Sequence, residues 1–337
     1  MKGFHFVSAV MSCALVMSAC GSSNKPAQSA PPPDTKPWLA DLIDEKTDAE
    51  LRIRPLAAEK DPVFGPIMQR AEEQAAPLLA MMPIARSAFE TFEKSSLVII
   101  ATRHTEPMDA VIIFEGVPGA LSPASMNDPG GAPLFKRMDG TPVTIDEYDR
   151  NKGDDGSSHS PMSLHLAKLN QMWVVGIGPG ADRLDAAVKS DKMEELRDDG
   201  GPILAGTAVG DLVETIKKSE PPPEIQPAID GLSRADIDVE GGQTTHVKIA
   251  LTYADESSAS TAKDFVETML VAAKSKKPEL KATIDGMTLA RDKAKVTFEA
   301  PLPADFLAAV MQRPKSDDGS STAPTPTPTK KHPKKSH

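Results

Sequence analysis

Aromatic side chains are scarce: they make up 4% of the chain, with two Trp and two Tyr among 337 residues. A binding site built on ring stacking, as for sugars, is therefore disfavoured. Cysteine is nearly absent, with Cys13 and Cys20 as its two copies. Both sit at the N-terminus, so no disulfide framework can hold the rest of the chain, and packing must do so. A long apolar run is also missing. The best stretch, Phe4 to Val16, is broken by His5, Ser8 and Ser12. It is too short for a helix crossing a bilayer, which needs about 20 apolar residues. Positive charge is lacking where it would serve nucleic-acid binding. Residues 38–314 carry 30 Lys and Arg against 45 Asp and Glu, a formal charge of −15. That balance argues against a nucleic-acid partner.

What the N-terminus does contain is a processing signal. Lys2 precedes the apolar stretch, whose length suits the core of a secretory signal. The stretch ends in Leu15-Val16-Met17-Ser18-Ala19-Cys20, with small residues before the cysteine. This run resembles the lipobox of bacterial lipoprotein precursors, with Met17 where that pattern usually has Leu. The resemblance covers residues 1–21. It implies that the signal peptide 1–19 is removed and that Cys20 is acylated with palmitate-type chains. Gly21 stands where an Asp often marks inner-membrane retention, which implies the outer membrane. The expected localisation is the cell envelope, facing the periplasm or the cell surface. An ordinary signal peptide cut between the two cysteines would instead leave a lone thiol in an exported chain, and a buried N-terminal helix is the other reading. Several acyl chains, at about 0.8 kcal/mol per buried CH₂, anchor stably.

Residues 20–37 are Ser, Ala, Pro and Lys with almost no apolar bulk, a composition expected to stay disordered as a tether. At the other end, residues 315–337 carry Thr-Pro repeats and then Lys330, Lys331, Lys334 and Lys335. This tail is also expected to be disordered. It could touch an anionic envelope polymer or lipid, or simply be a solvated end.

Between these flanks the pattern is α+β. Leu97 to Ala101 and Ala110 to Phe114 are short apolar runs rich in β-branching. Leu164 to Leu169 and Met172 to Ile177 flank Asn170-Gln171, as in a hairpin. Helices are expected over 67–93 in two or three pieces, over 182–196 and over 210–218. The strongest helical spacing is that of Ala262, Phe265, Val266, Met269, Leu270 and Ala273. Strands are expected at 245–253, 282–284, 288–290 and 293–300, and a last helix at about 304–312. Glu220-Pro221-Pro222-Pro223-Glu224 reads as a linker between an α+β domain at 38–219 and another at 225–314. Each is expected to be a mainly antiparallel sheet with helices packed on one face. Met172 to Ile177 leads into Pro179-Gly180-Ala181-Asp182-Arg183-Leu184, and Lys295 to Ala300 leads into Pro303-Ala304-Asp305-Phe306-Leu307. That echo suggests two related halves, or a chance recurrence of helix-cap chemistry.

Several residues invite a chemical reading. Gly176, Gly178 and Gly180 lie between a strand and a helix, but their spacing is not that of a dinucleotide turn. His104 with Glu106 and Asp109 offers a metal or acid–base set, and His159 and His165 flank Ser160 and Ser163. Neither group has helical H-x-x-x-H spacing or a G-x-S-x-G elbow. Asp154-Asp155-Gly156 and Asp198-Asp199-Gly200-Gly201 lack the alternation of a calcium loop. Twelve Met beyond the signal are scattered at core-like positions, as gap-fillers. No catalytic, cofactor-binding or metal-ligating set is assigned, and Cys20 is the single assigned site. The expected function is a non-catalytic interaction or scaffolding role in the envelope. The alternatives are a solute- or lipid-binding lipoprotein, and an envelope hydrolase whose residues meet only in three dimensions.

Overall fold

Continuous apolar runs in some segments and apolar–polar alternation in others build one large antiparallel sheet. In the computed structural model, residues 36–303 are described, except 80–82, 106–107, 117–132, 134, 139–143, 149–162, 191, 197, 199, 219–224, 243 and 277–280. Cys20, the tether, the proline linker and the tail lie outside the described residues. The strands are β1 (Ala49–Ile53), β2 (Leu97–Arg103), β3 (Asp109–Glu115), β4 (Phe135–Met138), β5 (Thr144–Tyr148), β6 (Leu164–Leu169), β7 (Met172–Ile177), β8 (Leu204–Val209), β9 (Leu232–Glu240), β10 (Thr245–Tyr253), β11 (Thr288–Asp292) and β12 (Lys295–Leu302). Helices are α1 (Pro37–Leu42), α2 (Pro55–Lys60), α3 (Gly65–Leu79), α4 (Pro83–Lys94), α5 (Pro179–Lys189), α6 (Gly210–Lys218), α7 (Gln226–Ile229), α8 (Glu256–Lys276) and α9 (Lys281–Asp285). The chain is thus α+β, and its sheet has the order β11-β12-β10-β9-β8-β1-β2-β3-β7-β6-β5-β4.

That order contains a repeat. From β1 outward it reads β1-β2-β3-β7-β6, and from β8 outward in the other direction it reads β8-β9-β10-β12-β11. Each half is a lead strand, a hairpin, and a second hairpin whose last strand adds to the first. The second hairpins, β6–β7 and β11–β12, each turn over two residues, and Asn170 and Lys293 take left-handed φ values of 49° and 51°. The halves meet where β1 pairs antiparallel with β8, from Ala49 opposite Ala208 to Ile53 opposite Leu204. The topological repeat begins at β8, upstream of the prolines at 221–223.

Register runs true across the seam. One lateral row passes through Leu289, Phe298, Ile249, Ile237, Gly206, Leu51, Ile100, Ile112, Val175 and Leu166, each the direct partner of the next. Direct partners in an antiparallel ladder share a face, so this row marks one side of the sheet. At the seam the row is tight: a Cβ on Gly206 would lie 2.9 Å from the Leu51 Cδ1 and 3.1 Å from the Ile237 Cγ2, so those side chains would have to shift to admit one.

The helices follow the polarity of each face. In the half containing β2, β3 and β7, both faces are apolar. On the row's face Val98, Phe114, Leu166, Trp173 and Val175 pack with Phe92 of α4. On the opposite face Ile99, Val111, Ile113, Met172 and Val174 pack under Trp38, Leu39 and Leu42 of α1 and Leu184, Ala187 and Val188 of α5. In the other half, the row's face carries Leu212 and Val213 of α6 and Ala259 and Ala262 of α8 against Leu251, Leu289 and Val296. Its reverse face presents charged and small residues, among them Arg234, Asp236, Lys248 and Glu299, which pair with one another. One-sided helix packing therefore describes this half, and α1 and α5 add a second covered face to the other.

Three local expectations change. The helix expected over 182–196 stops at Lys189, with Ser190 turning its hydroxyl back to the Ala187 carbonyl. Residues 282–284 are helical, within α9, where a strand was expected. Strand β1 and helix α2 were not anticipated at all.

Candidate functional site

The start of α5 gathers most of the chemistry singled out from the sequence. Pro179 sits in the first turn of the helix, where its missing amide hydrogen costs nothing. The three glycines before and within that turn are there for proximity. A Cβ on Gly178, whose φ is +59°, would lie 2.1 Å from the Met108 carbonyl oxygen. One on Gly180 would lie 2.1 Å from the Ala110 oxygen, and one on Gly176 would lie 2.7 Å from the Ala181 Cα. Gly176, Gly178 and Gly180 let α5 begin directly against the backbones of β3 and β7, so their spacing serves helix–sheet packing.

Two charged contacts then hold α5 down, one on each flank. Residues 183 and 185 lie on opposite sides of the helix, at about 100° per residue. Arg183 donates to Asp109 of β3, a carboxylate that is 2% exposed. On the other flank Asp185 meets the Nδ1 of buried His165 in β6 at 2.8 Å. Since β7 lies between β3 and β6, the two pairs straddle the strand on which α5 rests. Arg103 extends the first contact. It is 3.9 Å from Asp109 and forms a 2.6 Å ion pair with Asp44, beyond α1. Asp109 thus balances two guanidinium groups in a place that admits little water.

His104 stands apart from this. Its backbone amide donates to Asp48 at 2.6 Å, while its Nε2 is buried without a hydrogen-bond partner among the described residues. Glu106, His159 and Ser160 lie outside the described residues. Ser163 lends its carbonyl oxygen to the Gly178 amide at 2.7 Å. Among the described residues, no group of three or more His, Cys, Asp or Glu side chains is placed to hold a metal ion.

The opposite end of the same strands carries a second polar cluster, which the sequence reading missed. Arg54, just after β1, is 8% exposed. Its Nε donates to Asp198 at 2.8 Å, its Nη1 to the Pro202 carbonyl at 2.7 Å, and its Nη2 to the Gly200 carbonyl. The run containing Asp198, Gly200 and Gly201 is therefore a turn wrapped around a guanidinium, not a calcium loop. Close by, Glu115 closes β3 with a buried Oε2 that has no partner among the described residues. Burial first, then repulsion from Glu195 and Asp198, pushes its carboxyl up to about 7. A third buried carboxylate, Asp61, accepts from the Val63 and Phe64 amides at 2.8 and 3.0 Å, from Gly242 at 3.2 Å and from the Thr245 hydroxyl at 3.0 Å. It ties the turn before α3 to the start of β10 in the other half. Arg54 and Asp61 each join elements distant in sequence, and act as clamps.

Removing one partner of a buried pair costs more than removing both. Asp109→Leu leaves Arg103 and Arg183 facing each other and is expected to cost about 3–5 kcal/mol. Arg183→Met should cost less, because Arg103 stays beside Asp109. The double variant should lose less than the sum of the two, as read from urea unfolding midpoints. Strict additivity would show that the contact does not hold α5.

Glu115 gives the second prediction. A carboxyl whose folded value is raised stabilises the protein below its unfolded value of about 4.5. That contribution is lost as pH rises through about 7. Glu115→Gln should therefore match the parent below pH 4.5 and exceed it by about 1–3 kcal/mol at pH 8. Urea unfolding at both pH values checks this; a variant no more stable than the parent at pH 8 would contradict it.

No family model and no curated protein sequence matches the chain. A solved structure described as crystal form I of TP0453 superposes on 80% of this chain and 94% of its own, with a TM-score of 0.44 at 11% identity. A score and an identity that low establish neither a shared fold nor a shared activity.

Proposed function

We propose that the protein is a lipid-anchored component of the bacterial cell envelope whose folded body plays a non-catalytic interaction or scaffolding role. The observation that carries the anchor is the run Leu15 to Cys20, with small residues before a cysteine that would be the lone thiol after processing. Residues 21–37 would then act as a tether, with Pro31-Pro32-Pro33 locally extended. Gly21 supports the outer membrane as the destination. In the body, the buried charges support a scaffold over a hydrolase. Asp109 pairs with Arg183, Arg54 with Asp198, and Asp61 with Thr245. A general base needs a reacting proton within hydrogen-bond reach, and these groups face their own neighbours. The cluster Lys330, Lys331, Lys334 and Lys335 would supplement the anchor by weak contact with anionic lipid or cell-wall polymer, at about 1 kcal/mol per Lys at low salt.

The anchor is tested on the full precursor expressed in a bacterium. The parent should incorporate a palmitate analogue and sediment with membranes, while Cys20→Ala should lose the label and become soluble or remain unprocessed. Unlabelled parent, or a processed Cys20→Ala variant that still sediments with membranes, would overturn the anchor.

A further inference from the structure

Helix α8 is more apolar than its surroundings justify. Its first half packs normally, with Ala259 and Ala262 at 0% and 1% exposure. Residues 265–273, Phe-Val-Glu-Thr-Met-Leu-Val-Ala-Ala, are apolar at seven of nine positions, yet none of them is buried. Met269 is 36% exposed and Val271 65%. Val266, Leu270 and Ala273 continue the stripe of Ala259 and Ala262 at helical spacing, and Phe265, Met269 and Ala272 flank it. A helix segment apolar nearly all round is ordinarily covered on more than one side.

Topology places one candidate cover at this spot. Helix α8 starts after the end of β10 and runs back along the sheet for about 31 Å, at 1.5 Å per residue. Its last turns therefore lie at the end where β10 begins. There Thr245 is the partner of Leu302, the final residue of β12. Helix α9 bridges the two: Lys274 of α8 pairs with Asp285 at 2.5 Å. A Cβ on the next residue, Gly286, would come within 2.9 Å of the Pro301 Cγ. The chain leaving β12 thus emerges beside the under-covered half of α8. It continues as Pro303-Ala304-Asp305-Phe306-Leu307-Ala308-Ala309-Val310-Met311-Gln312. Phe306, Leu307, Val310 and Met311 fall at i, i+1, i+4 and i+5, one face of a helix. Nine helical residues span about 14 Å, the length of the exposed stretch.

We infer that residues 304–312 form a helix whose Phe306, Leu307, Val310 and Met311 face docks on Phe265, Met269 and Leu270 of α8. The docked segment completes the core of the β8–β12 half and fixes the point from which the basic tail departs.

The test uses the full chain. A photoreactive phenylalanine analogue at position 269 is irradiated and the product mapped by mass spectrometry. The expected product is a link within one chain to a residue of 304–312. In parallel, Leu307→Asp with Val310→Asp should raise amide exchange across 265–273 at least threefold while the far-ultraviolet circular dichroism is retained. Links to a second copy of the chain, links to lipid in membrane preparations, or no link to 304–312 would overturn the inference. So would unchanged exchange in the double variant. The cross-link is made in a chain whose tail is intact, so it stands even if the double variant misfolds.

Discussion

The pairing of β1 with β8 is the constraint on which the rest of the structure depends. Five residue pairs, Ala49–Ala208 to Ile53–Leu204, join two sets of strands that repeat the same order in opposite directions. Either strand alone would be an exposed edge, with unpaired amides and carbonyls inviting other chains. Paired, they become the centre of a sheet. Their register also sets every strand beyond them, because a slip of one residue would turn Leu51 and Ile53 to the polar side and Glu50 and Arg52 into the apolar row. Asp61 reaches across to Gly242 and Thr245 and ties the two halves from the side.

Sequence alone revealed elements whose information is local. Asn170-Gln171 between two apolar segments marks the β6–β7 hairpin, and the spacing from Ala262 to Ala273 marks α8. Strand β1 escaped because it is five residues long, alternates with charges and lacks a glycine or proline turn before it. Residues 282–284 have the β-branched Thr and Ile of a strand, but three residues are too few to distinguish a strand from one turn of helix. The site was less legible for a different reason. Arg183 and Asp109 are 74 positions apart, and Arg54 and Asp198 are 144 apart. No spacing rule connects such pairs. The glycines at 176, 178 and 180 could be read as a turn, but the cause of Gly178 and Gly180, the carbonyls of Met108 and Ala110 at the start of β3, is remote in sequence.

The buried charges and the signal at Cys20 together suggest a division of labour. Under the proposed lipid anchor, the N-terminal segment would determine where the protein resides, and the body would supply a surface there. Stiffness is what the clamps provide: α5 is held on both flanks, and the segment from Asp198 to Pro202 is held by one guanidinium. Among the described residues no helix covers the reverse face of the β8–β12 half, where Arg234 pairs with Asp236 and Lys248 with Glu299.

If the seam makes the two halves one folding unit, they must unfold together. The direct measurement is pulse-labelled amide exchange in a urea series, reading β2, β3 and β7 for one half and β10 and β12 for the other. The account predicts one midpoint for both sets of strands. Two separated midpoints, with one half protected while the other exchanges, would show that the β1–β8 pairing does not bind the halves into a single cooperative structure.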